Sequence, residues 1–450
     1  MSTRGRRRAG EGRETYIPEW VGGRPAGRRP AKARPRPATN RPARRAGTVR
    51  AARRAPRTPG IKERRALFGL TLGLLLYGLV MAYSASTAKA YFTYGSSYYV
   101  IERQAFFAVL GVIAMLVLSR VDYVWWQRAA LPLSVIALVA LAAVLIPGVG
   151  SEINGARRWI IVRGFSFSPS ELAKLAAITL VAGLVVRKPW ELTSGKGFAR
   201  LVGIGIGPAA ALIMLEPDLG TTIILTFAVI AVLIAGGAQI RHLAALAGAG
   251  VLAVAAMIAV EPYRVARITA FIDPWQDPQG SGFQTTQSLI SIASGRIFGV
   301  GLGNSIQKFG FLPEQTTDMI TGIIGEELGL IGLLVLIGLY VALTWTILRI
   351  ALNCREMYGK LLAVGIGSAV AGQAAINIGA ALGLLPLTGV PLPLVSCGGT
   401  SLVVVLAGIG IIANIATNRR SYIVASPERS SSPRRGGGDR RSPDPGARRR

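Results

Sequence analysis

Apolar residues in this chain gather into long runs, and polar residues separate one run from the next. A helix that crosses about 30 Å of hydrocarbon needs roughly 17 to 25 predominantly apolar residues. About ten runs of that length lie between residues 66 and 416. They begin near Ala66, Ala105, Ala129, Pro169, Phe198, Leu219, Leu243, Met319, Leu361 and Gly399. The pattern predicts an all-α integral membrane protein, a polytopic bundle of about ten transmembrane helices.

Basic residues are concentrated at the two ends of the chain. The net charge is +29, and residues 1–65 and 417–450 supply most of it. Both ends are rich in Arg, Pro and Gly without apolar periodicity, so we predict disordered tails around a transmembrane domain at 66–416. Basic residues beside a first spanning helix hold that end in the cytoplasm and attract anionic headgroups. This explains the charge more simply than specific nucleic-acid binding.

The same charges set the expected topology. No apolar stretch follows the basic residues until Ala66, so no cleavable signal peptide is predicted and the first span directs insertion. With the N-terminus inside, an even number of spans returns the C-terminus to the cytoplasm. The two cysteines, Cys354 and Cys397, lie in or beside different apolar runs and do not indicate a disulfide framework.

Two segments, 148–168 and 261–318, fall on the outer face in this frame. The second is far longer than a helical bundle needs, which is typical of a functional loop. Both carry arginines, although outer loops are usually depleted of them. Single arginines can snorkel to lipid phosphate, but clustered guanidinium groups suit a phosphate or pyrophosphate, which they bind bidentately. The arrangement indicates a phosphorylated substrate at the outer surface.

The start of the fourth span carries a polar motif. Ser168 is expected to be its N-cap, with Pro169 as the first helical residue and Glu171 as the partner in a capping box. Lys174 follows one turn inside the apolar helix, where a charge costs several kcal/mol unless it faces a partner or a wet cavity. Either Glu171 pairs with Lys174 as a structural bridge, or Lys174 binds an anion.

A second motif, EPDLGTT, interrupts apolar sequence between the fifth and sixth spans. Asp218 either caps the next helix or lines a cavity, because acids at this depth usually face one. The cap alone would not need the preceding acid, Glu216.

The long outer segment contains DPWQDP, GSGFQ, GLGNS and FLPE, and GEELG follows it. Asp-Pro and Gly-rich spacing is ordinary turn chemistry. Together with RRW, PSELAKLA, EPDLGTT and the LPLTGV and LPLVS stretch near the last span, however, these motifs resemble the SEDS family (shape, elongation, division and sporulation). That family comprises polytopic peptidoglycan glycosyltransferases and includes FtsW and RodA. The resemblance covers about residues 64 to 416. Its motifs are more similar to those of the division branch, FtsW, than to those of the elongation branch, RodA.

Three positions depart from the family's usual pattern. Thr316 stands where a histidine is usual, Cys397 where a tyrosine is usual, and Ser168 where a glutamine is common. The first departure affects the expected role of the neighbouring Asp318.

The resemblance implies polymerisation of lipid II, a disaccharide-pentapeptide on undecaprenyl pyrophosphate, at the outer face of the bacterial cytoplasmic membrane during cell division. Attack of an acceptor hydroxyl on an anomeric carbon needs a base for the hydroxyl proton. Pyrophosphate leaves without a proton, so one carboxylate suffices, unlike the pair in glycoside hydrolases. Asp277 is the expected base because it matches the second aspartate of the family's DPW motif, and Asp273 is the second choice.

Other polar residues of these motifs are expected to bind substrate, with the arginines and Lys308 clamping the pyrophosphate. The set comprises Arg157, Arg158, Glu171, Lys174, Asp218, Arg264, Arg267, Gln284, Gln287, Lys308, Glu314 and Asp318. A divalent cation, Mg or Mn, shared by outer acids would suit the chemistry, although no ligand motif specifies it. The resemblance also implies a class B penicillin-binding protein and other division proteins as partners, and a location at the division septum.

Two other classes of function fit parts of the sequence. A transporter or lipid II flippase would use intramembrane Lys174 and acids near helix ends for alternating access. It would need polar groups through the bilayer, whereas most charge here falls on outer segments. A non-catalytic scaffold that recruits partners through its tails would tolerate loss of Asp277.

Overall fold

The apolar runs of the sequence form helices in the computed structural model, which describes residues 60–153, 156–162, 165–260 and 262–418. In chain order the helices are α1 (Ile61–Tyr94), α2 (Tyr99–Leu118), α3 (Val124–Leu145), α4 (Pro169–Arg187), α5 (Gly195–Gly205), α6 (Gly207–Leu215), α7 (Leu219–Ala235), α8 (Ile240–Val260), α9 (Pro262–Ile272), α10 (Phe283–Gly295), α11 (Ile320–Leu352), α12 (Met357–Ala381) and α13 (Gly399–Thr417). Short 3-10 helices cover Pro189–Leu192 and Gln307–Phe309.

The number of spans agrees with the prediction. Within the described residues, eight helices are long and apolar enough to cross a membrane, and α5 with α6, bent by 46°, makes a ninth span. Counting the shorter apolar helix α7, of 17 residues, brings the number to about the ten expected. Successive spans reverse direction, so their ends gather at two ends of the bundle. One of them, the loop end, carries residues 146–168, 262–319 and 382–398.

Helix α4 lies at the centre of the bundle, and α8 lies apart from it. In its most apolar stretch 78% of α4 is buried, whereas none of the equivalent stretch of α8 is. Small residues allow the central helices to approach closely, as is usual where lipid supplies no hydrophobic drive for helix association. At Gly365 of α12, for example, a Cβ would lie 2.5 Å from Ile178 of α4 and 2.7 Å from Val232 of α7.

Helix α11 is broken inside its span. Gly329 has φ 65° and ψ −161°, a conformation open essentially only to glycine. Residues 296–301 lie along the break, where Val300 N–H donates to the Glu326 carbonyl at 2.9 Å and Leu330 N–H donates to the Arg296 carbonyl at 2.9 Å. These bonds satisfy backbone groups that lipid could not.

The two outer segments are more ordered than the sequence suggested. Residues 261–318 were expected to be a long loop, but they include α9 and α10. Residues 148–168 form a three-stranded antiparallel sheet of β1 (Ser151–Ile153), β2 (Ala156–Val162) and β3 (Phe165–Phe167), in that order. The expectation of a purely helical protein therefore holds for the bundle and not for this sheet.

The first helix begins before the expected boundary. Gly60 takes a left-handed conformation, and α1 starts at Ile61, so residues 61–65 belong to α1. Arg64 is held there by a hydrogen bond from its Nη2 to Ser119 Oγ at 3.3 Å. The remaining expectations for the tails concern residues 1–59 and 419–450, which lie outside the described residues.

Candidate active site

Residues 316–318, just before α11, are fixed by the segment 382–398. The Thr316 carbonyl accepts the Cys397 backbone N–H at 2.8 Å, and the Thr317 carbonyl accepts the Ser396 hydroxyl at 2.5 Å. Asn377 Nδ2 donates to the Asp318 carbonyl at 2.8 Å. Three successive carbonyl groups are therefore held in place around Asp318.

Asn377 of α12 holds the backbone around Asp318 in place. Its Nδ2 also donates to the Val390 carbonyl at 2.8 Å, and its Oδ1 accepts the Thr321 hydroxyl at 2.8 Å. The side chain is buried and lies about one turn from the end of α12. One amide therefore ties α11, α12 and the segment 382–398 together. Sequence reasoning missed Asn377, although a polar residue inside an apolar run was a usable signal.

The carboxylate of Asp318 has room for a hydrogen-bond donor from outside the described part of the protein. It is half-buried, and no residue that the structure describes donates a hydrogen bond to its carboxylate. Burial raises its pKa to about 7, the negative charge of Glu314 adds to the rise, and the guanidinium of Arg267 opposes it. Glu314 is itself partly engaged, since its Oε2 accepts the Thr317 hydroxyl at 2.9 Å.

Arg267 comes from α9 and Arg158 from β2. Arg267 Nη1 donates to the Leu387 carbonyl at 3.1 Å, which holds α9 against the segment 382–398. Arg158 Nε donates to the Glu216 carbonyl at 3.1 Å, and its Nη2 to the Pro217 carbonyl at 2.5 Å. The positive charges of both arginines also lower the pKa of Asp318, against the effect of its burial.

Asp218 caps helix α7, which is one of the two roles expected from the sequence. Its Oδ1 accepts Thr221 N–H at 3.0 Å and its Oδ2 accepts the Thr221 hydroxyl at 2.8 Å, which closes the first turn of α7. The same Oδ2 lies 3.8 Å from Arg158 Nη1. Asp218 therefore caps α7 and faces the converging charges at once.

Glu216, two residues earlier, is fully buried, and neither carboxylate oxygen has a hydrogen-bond partner among the described residues. Burial raises its pKa to about 8, and the charge of Asp218 adds to the rise while Arg158 lowers it. Glu216 was not among the expected site residues. The sequence did contain a signal for Glu216, because a helix cap at Asp218 does not need a second acid beside it.

Arg157 does not share the surroundings of Arg158. Successive side chains of a strand point to opposite faces, so the two cannot form one clamp. Arg157 instead pairs with Glu152, directly across the β1–β2 ladder, at 3.1 Å on an exposed surface. The two arginines therefore have different surroundings in the structure, and the expected pyrophosphate contact of Arg157 stays a prediction.

Lys174 forms the structural bridge that one alternative predicted. Its Nζ lies 2.9 Å from Glu171 Oε1 and donates to Gln373 Oε1 at 2.9 Å. Gln373 Nε2 donates in turn to the Pro391 carbonyl at 2.9 Å. The capping box does not form, because Glu171 is committed to Lys174 and no side chain caps α4. These three polar side chains line a cavity between α4, α12 and α13.

Lys308 is held by partners within the protein, and its expected contact with pyrophosphate stays a prediction. It is buried, donates to the Gly303 carbonyl and lies 3.5 Å from Glu327 of α11. A buried ammonium needs such a partner, which Glu327 supplies. Glu327 also accepts the Ser84 hydroxyl at 2.7 Å, which joins α1 to the same ion pair.

Glu326, next to Glu327 in the GEELG motif, fixes the same stretch of chain. It accepts the Ile306 N–H at 2.9 Å and the hydroxyl groups of Ser291 and Ser305. Sequence reasoning quoted GEELG for the family resemblance and gave its glutamates no role. Both hold residues 303–308, and through them the segment that leads to Asp318.

Asp277 lies exposed in the turn before α10. Its Oδ1 accepts Gly280 N–H at 3.0 Å and its Oδ2 accepts Ser281 N–H at 2.8 Å. The Ser281 N–H is the main reason that the pKa of Asp277 is lowered. Asp273 is similarly exposed and accepts the Trp275 N–H at 3.0 Å.

Three further expected residues lie on the two outer helices. Gln284 and Gln287 are half-buried on the first turns of α10. The backbone of Arg264 belongs to α9, but its side chain lies outside the described part of the structure. The expected divalent cation stays a prediction. Among the described residues no group of three or more His, Cys, Asp or Glu is placed to hold a metal ion, and the chemistry below uses none.

Known proteins resemble this chain over most of its length. The family model described as "Cell cycle protein", which covers FtsW, RodA and SpoVE, matches residues 64–421. Stage V sporulation protein E of Bacillus subtilis is 43% identical over 352 residues, 78% of this chain and 96% of that protein. The probable peptidoglycan glycosyltransferase FtsW of Aliivibrio salmonicida is 39% identical over 377 residues, 83% and 94% of the two chains.

Solved structures show the same fold. A chain from a structure titled "Structural coordination of polymerization and crosslinking by a peptidoglycan synthase complex" has a TM-score of 0.63 and 29% identity, covering 78% of this chain and 96% of that one. The rod shape determining protein RodA of Thermus thermophilus has a TM-score of 0.57 and 28% identity, covering 78% and 95%.

Proposed function

The chain belongs to the FtsW, RodA and SpoVE family of cell cycle proteins, and we propose that it polymerises lipid II into glycan strands at the outer face of the cytoplasmic membrane during cell division. It is a multi-pass bacterial membrane protein and a peptidoglycan glycosyltransferase.

One structural observation supports the proposed reaction: the position of two arginines beside acidic residues. At the loop end of the bundle Arg158 lies 3.8 Å from Asp218, and both Arg158 and Arg267, from elements more than a hundred residues apart, lower the pKa of Asp318. Backbone carbonyls hold both arginines, so their positions are set before a substrate arrives. Fixed guanidinium groups beside a membrane suit a lipid-linked pyrophosphate, whose charge grows as it leaves.

The reaction then needs a base for the acceptor hydroxyl. Asp277 is our candidate from the sequence, and it is an exposed carboxylate in the turn before α10. The acceptor oxygen would bond to the anomeric carbon while its proton passes to Asp277, and the bond to pyrophosphate would break with its electron pair on the departing oxygen. Exposure of Asp277 lets it return the proton to water.

Sidedness, location and partners extend the proposal. The loop end would face outward with both termini in the cytoplasm, as the distribution of basic residues favours. The division septum is the proposed site of action, and a class B penicillin-binding protein the proposed partner, alongside other division proteins. The similarity to a chain of a peptidoglycan synthase complex supports joint action with such a cross-linking enzyme.

A lipid II flippase, the alternative, would need a polar path through the bilayer. In the part of the chain that the structure describes, all buried charged side chains except Glu191 lie at the loop end or within about two turns of it. They are Glu171, Lys174, Glu216, Asp218, Lys308, Glu326 and Glu327. This distribution favours chemistry at one surface over passage across.

The experiment is glycan-chain formation from purified lipid II in detergent, with and without the class B penicillin-binding protein. We expect polymer from the wild type and a loss of about 10² to 10⁴ in rate for Asp277→Ala. Asp273→Ala is the matched control from the same turn and should keep its activity. Loss with Asp273→Ala alone would transfer the role of base to that residue. No polymer from the wild type, even with its partner, would favour the flippase.

A further inference from the structure

The segment between α10 and α11 exposes large apolar side chains. Phe298 and Ile306 are 79% and 67% exposed, and Ile297 and Leu302 are each 55% exposed. The sequence assigns this segment to a loop in water, where an apolar patch of this kind marks a surface that something else covers. The position of the segment in the fold indicates what covers it.

The segment is joined to the break in α11. Ile331 N–H donates to the Ile297 carbonyl at 3.2 Å, and Gly301 N–H donates to the Glu327 carbonyl at 3.1 Å. Backbone hydrogen bonds of this length leave no room for the segment to stand above the helix. Residues 297–301 therefore lie at the level of the break itself.

The break lies one hydrocarbon thickness from the opposite end of α11. Gly329 and Arg349 are 20 residues apart, which at 1.5 Å per residue is about 30 Å, the thickness of a hydrocarbon core. The Arg349 guanidinium overlies the ring of the exposed Trp345 at 5.4 Å, and both residue types are typical of a membrane interface. The break, and the segment with it, therefore lies at the hydrocarbon boundary on the loop side.

The lipid-facing side of α11 begins at the break and continues onto the segment. Residues 320–329 are buried or half-buried, whereas Leu330, Ile331 and Leu334 are exposed. Exposed apolar residues of a spanning helix face lipid, whose tails are as apolar as a leucine side chain. Because Ile297 is hydrogen-bonded to Ile331, the exposed side chains of the segment lie beside this lipid-facing side.

The segment presents no free charge to its surroundings. Between Arg296 and Glu314 the sequence contains one charged residue, Lys308. The ammonium of Lys308 is buried and lies 3.5 Å from Glu327 of α11. Since its one charge is paired inside the protein, the segment can meet hydrocarbon without exposing an ion to it.

We propose that residues 297–306 form a lipid-contact surface, in which Ile297, Phe298 and Leu302 are inserted among the acyl chains of the leaflet at the loop end. The hydrogen bonds to α11 make this possible, because lipid offers backbone groups no partner. The surface goes beyond the proposed reaction and does not depend on it. Its consequence for the site is that the bilayer holds the level of the chain that leads on to Asp318.

A partner protein is the other occupant that an exposed apolar surface can have. The level of the segment favours lipid, because a partner domain in water does not reach groups at the hydrocarbon boundary. A spanning helix of a partner would have to displace lipid from the exposed side of α11 as well, since the two surfaces are continuous.

The accessibility of nitroxide labels tests the proposal in the full chain, reconstituted alone in phosphatidylcholine vesicles. Phe298→Cys and Leu302→Cys are each made in a background without Cys354 and Cys397, labelled, and studied by electron paramagnetic resonance. Collisions of the label with oxygen, which concentrates in hydrocarbon, are compared with its collisions with a water-soluble nickel chelate. We expect both labels to meet oxygen and to lose contact with nickel.

Two controls set the ends of this scale. Leu334→Cys, on the exposed side of α11 beyond the break, should have the lipid pattern. Ser96→Cys should have the aqueous pattern, because it follows α1, which starts with a basic turn and has 34 residues. A helix of that length extends about 51 Å, well past a hydrocarbon core of about 30 Å.

Nickel contact at position 298 or 302 as strong as that of Ser96→Cys would overturn the proposal. If the class B penicillin-binding protein then abolished that contact, the surface would be a protein interface instead. Ile306→Cys, also at an exposed position, takes the place of either variant if it fails to fold. The measurement needs no substrate, so its result is independent of whether the chain polymerises lipid II.

Discussion

At the scale of single residues, most buried charges in the described part of the chain are paired, and Glu216 is the exception. Lys174 shows the first case, with Glu171 one turn away and Gln373 across the helix interface. The sequence could predict the first partner from the spacing, because residues three apart meet on a helix. It could not predict Gln373, which is 199 residues away.

The pair of Lys174 and Glu171 should be strongly coupled. Removing either side chain alone strands the other charge in the bundle, since both side chains are less than a tenth exposed. We expect each of Lys174→Met and Glu171→Gln to lower the free energy of unfolding by about 3–5 kcal/mol, and the double variant to lose clearly less than the sum. Equilibrium unfolding in mixed micelles measures this.

The control is Lys188, which has the same spacing to Glu191 but a side chain that is 48% exposed. Lys188→Met should change the free energy of unfolding by less than about 1 kcal/mol. Additive effects of Lys174→Met and Glu171→Gln would show that the buried pair is not coupled.

At the scale of elements, the sequence predicted spans well and interruptions poorly. Helices α4, α7 and α13 begin at the expected Pro169, Leu219 and Gly399. The strands were missed because two of them have only three residues, too few for a period of two to be seen. The break in α11 was missed because glycine is common in membrane helices and because the segment that fills the break, residues 296–301, lies 28 to 33 residues before Gly329.

The break at Gly329 should be sensitive to a single methyl group. A Cβ there would lie 2.4 Å from Gly299 N and 2.5 Å from the Ile297 carbonyl oxygen, in a backbone conformation that L residues rarely adopt. We expect Gly329→Ala to lower the free energy of unfolding by at least about 2 kcal/mol and to speed hydrogen exchange at residues 296–301.

Gly338→Ala is the matched control in the same helix, because nothing lies within 4 Å of its Cβ position. Alanine should be neutral there, or stabilising by up to about 1 kcal/mol. Equal effects of the two substitutions would mean that the break is not required.

At the scale of the whole molecule, the site is a meeting of distant segments. Arg158, Asp218, Arg267 and Asp318 come from β2, the start of α7, α9 and the segment before α11. An even count of spans could predict that all four reach the loop end. Which of them meet depends on side-chain direction and helix packing, so the sequence could not separate Arg157 and Lys308 from this group and left out Glu216 and Asn377.

Placing this site on the outer face depends on the orientation of the bundle, which can be measured directly. Ser96 is exposed between α1 and α2 at the loop end, and Lys196 is exposed on α5 at the opposite end. The opposite end also gathers basic residues that the positive-inside rule assigns to the cytoplasm. They include Arg120, Arg128, Arg187, Lys188, Arg200, Arg241, Arg349, Arg355 and Lys360.

Single cysteines at positions 96 and 196, in a background without Cys354 and Cys397, should therefore label differently in intact cells. A membrane-impermeant maleimide should modify Ser96→Cys at once and Lys196→Cys only after permeabilisation. Both variants alter exposed residues, so each should stay folded and active. The reverse pattern would put Asp318 and the two arginines in the cytoplasm, where they could not extend a strand outside the cell, and the polymerase proposal would fail with the orientation.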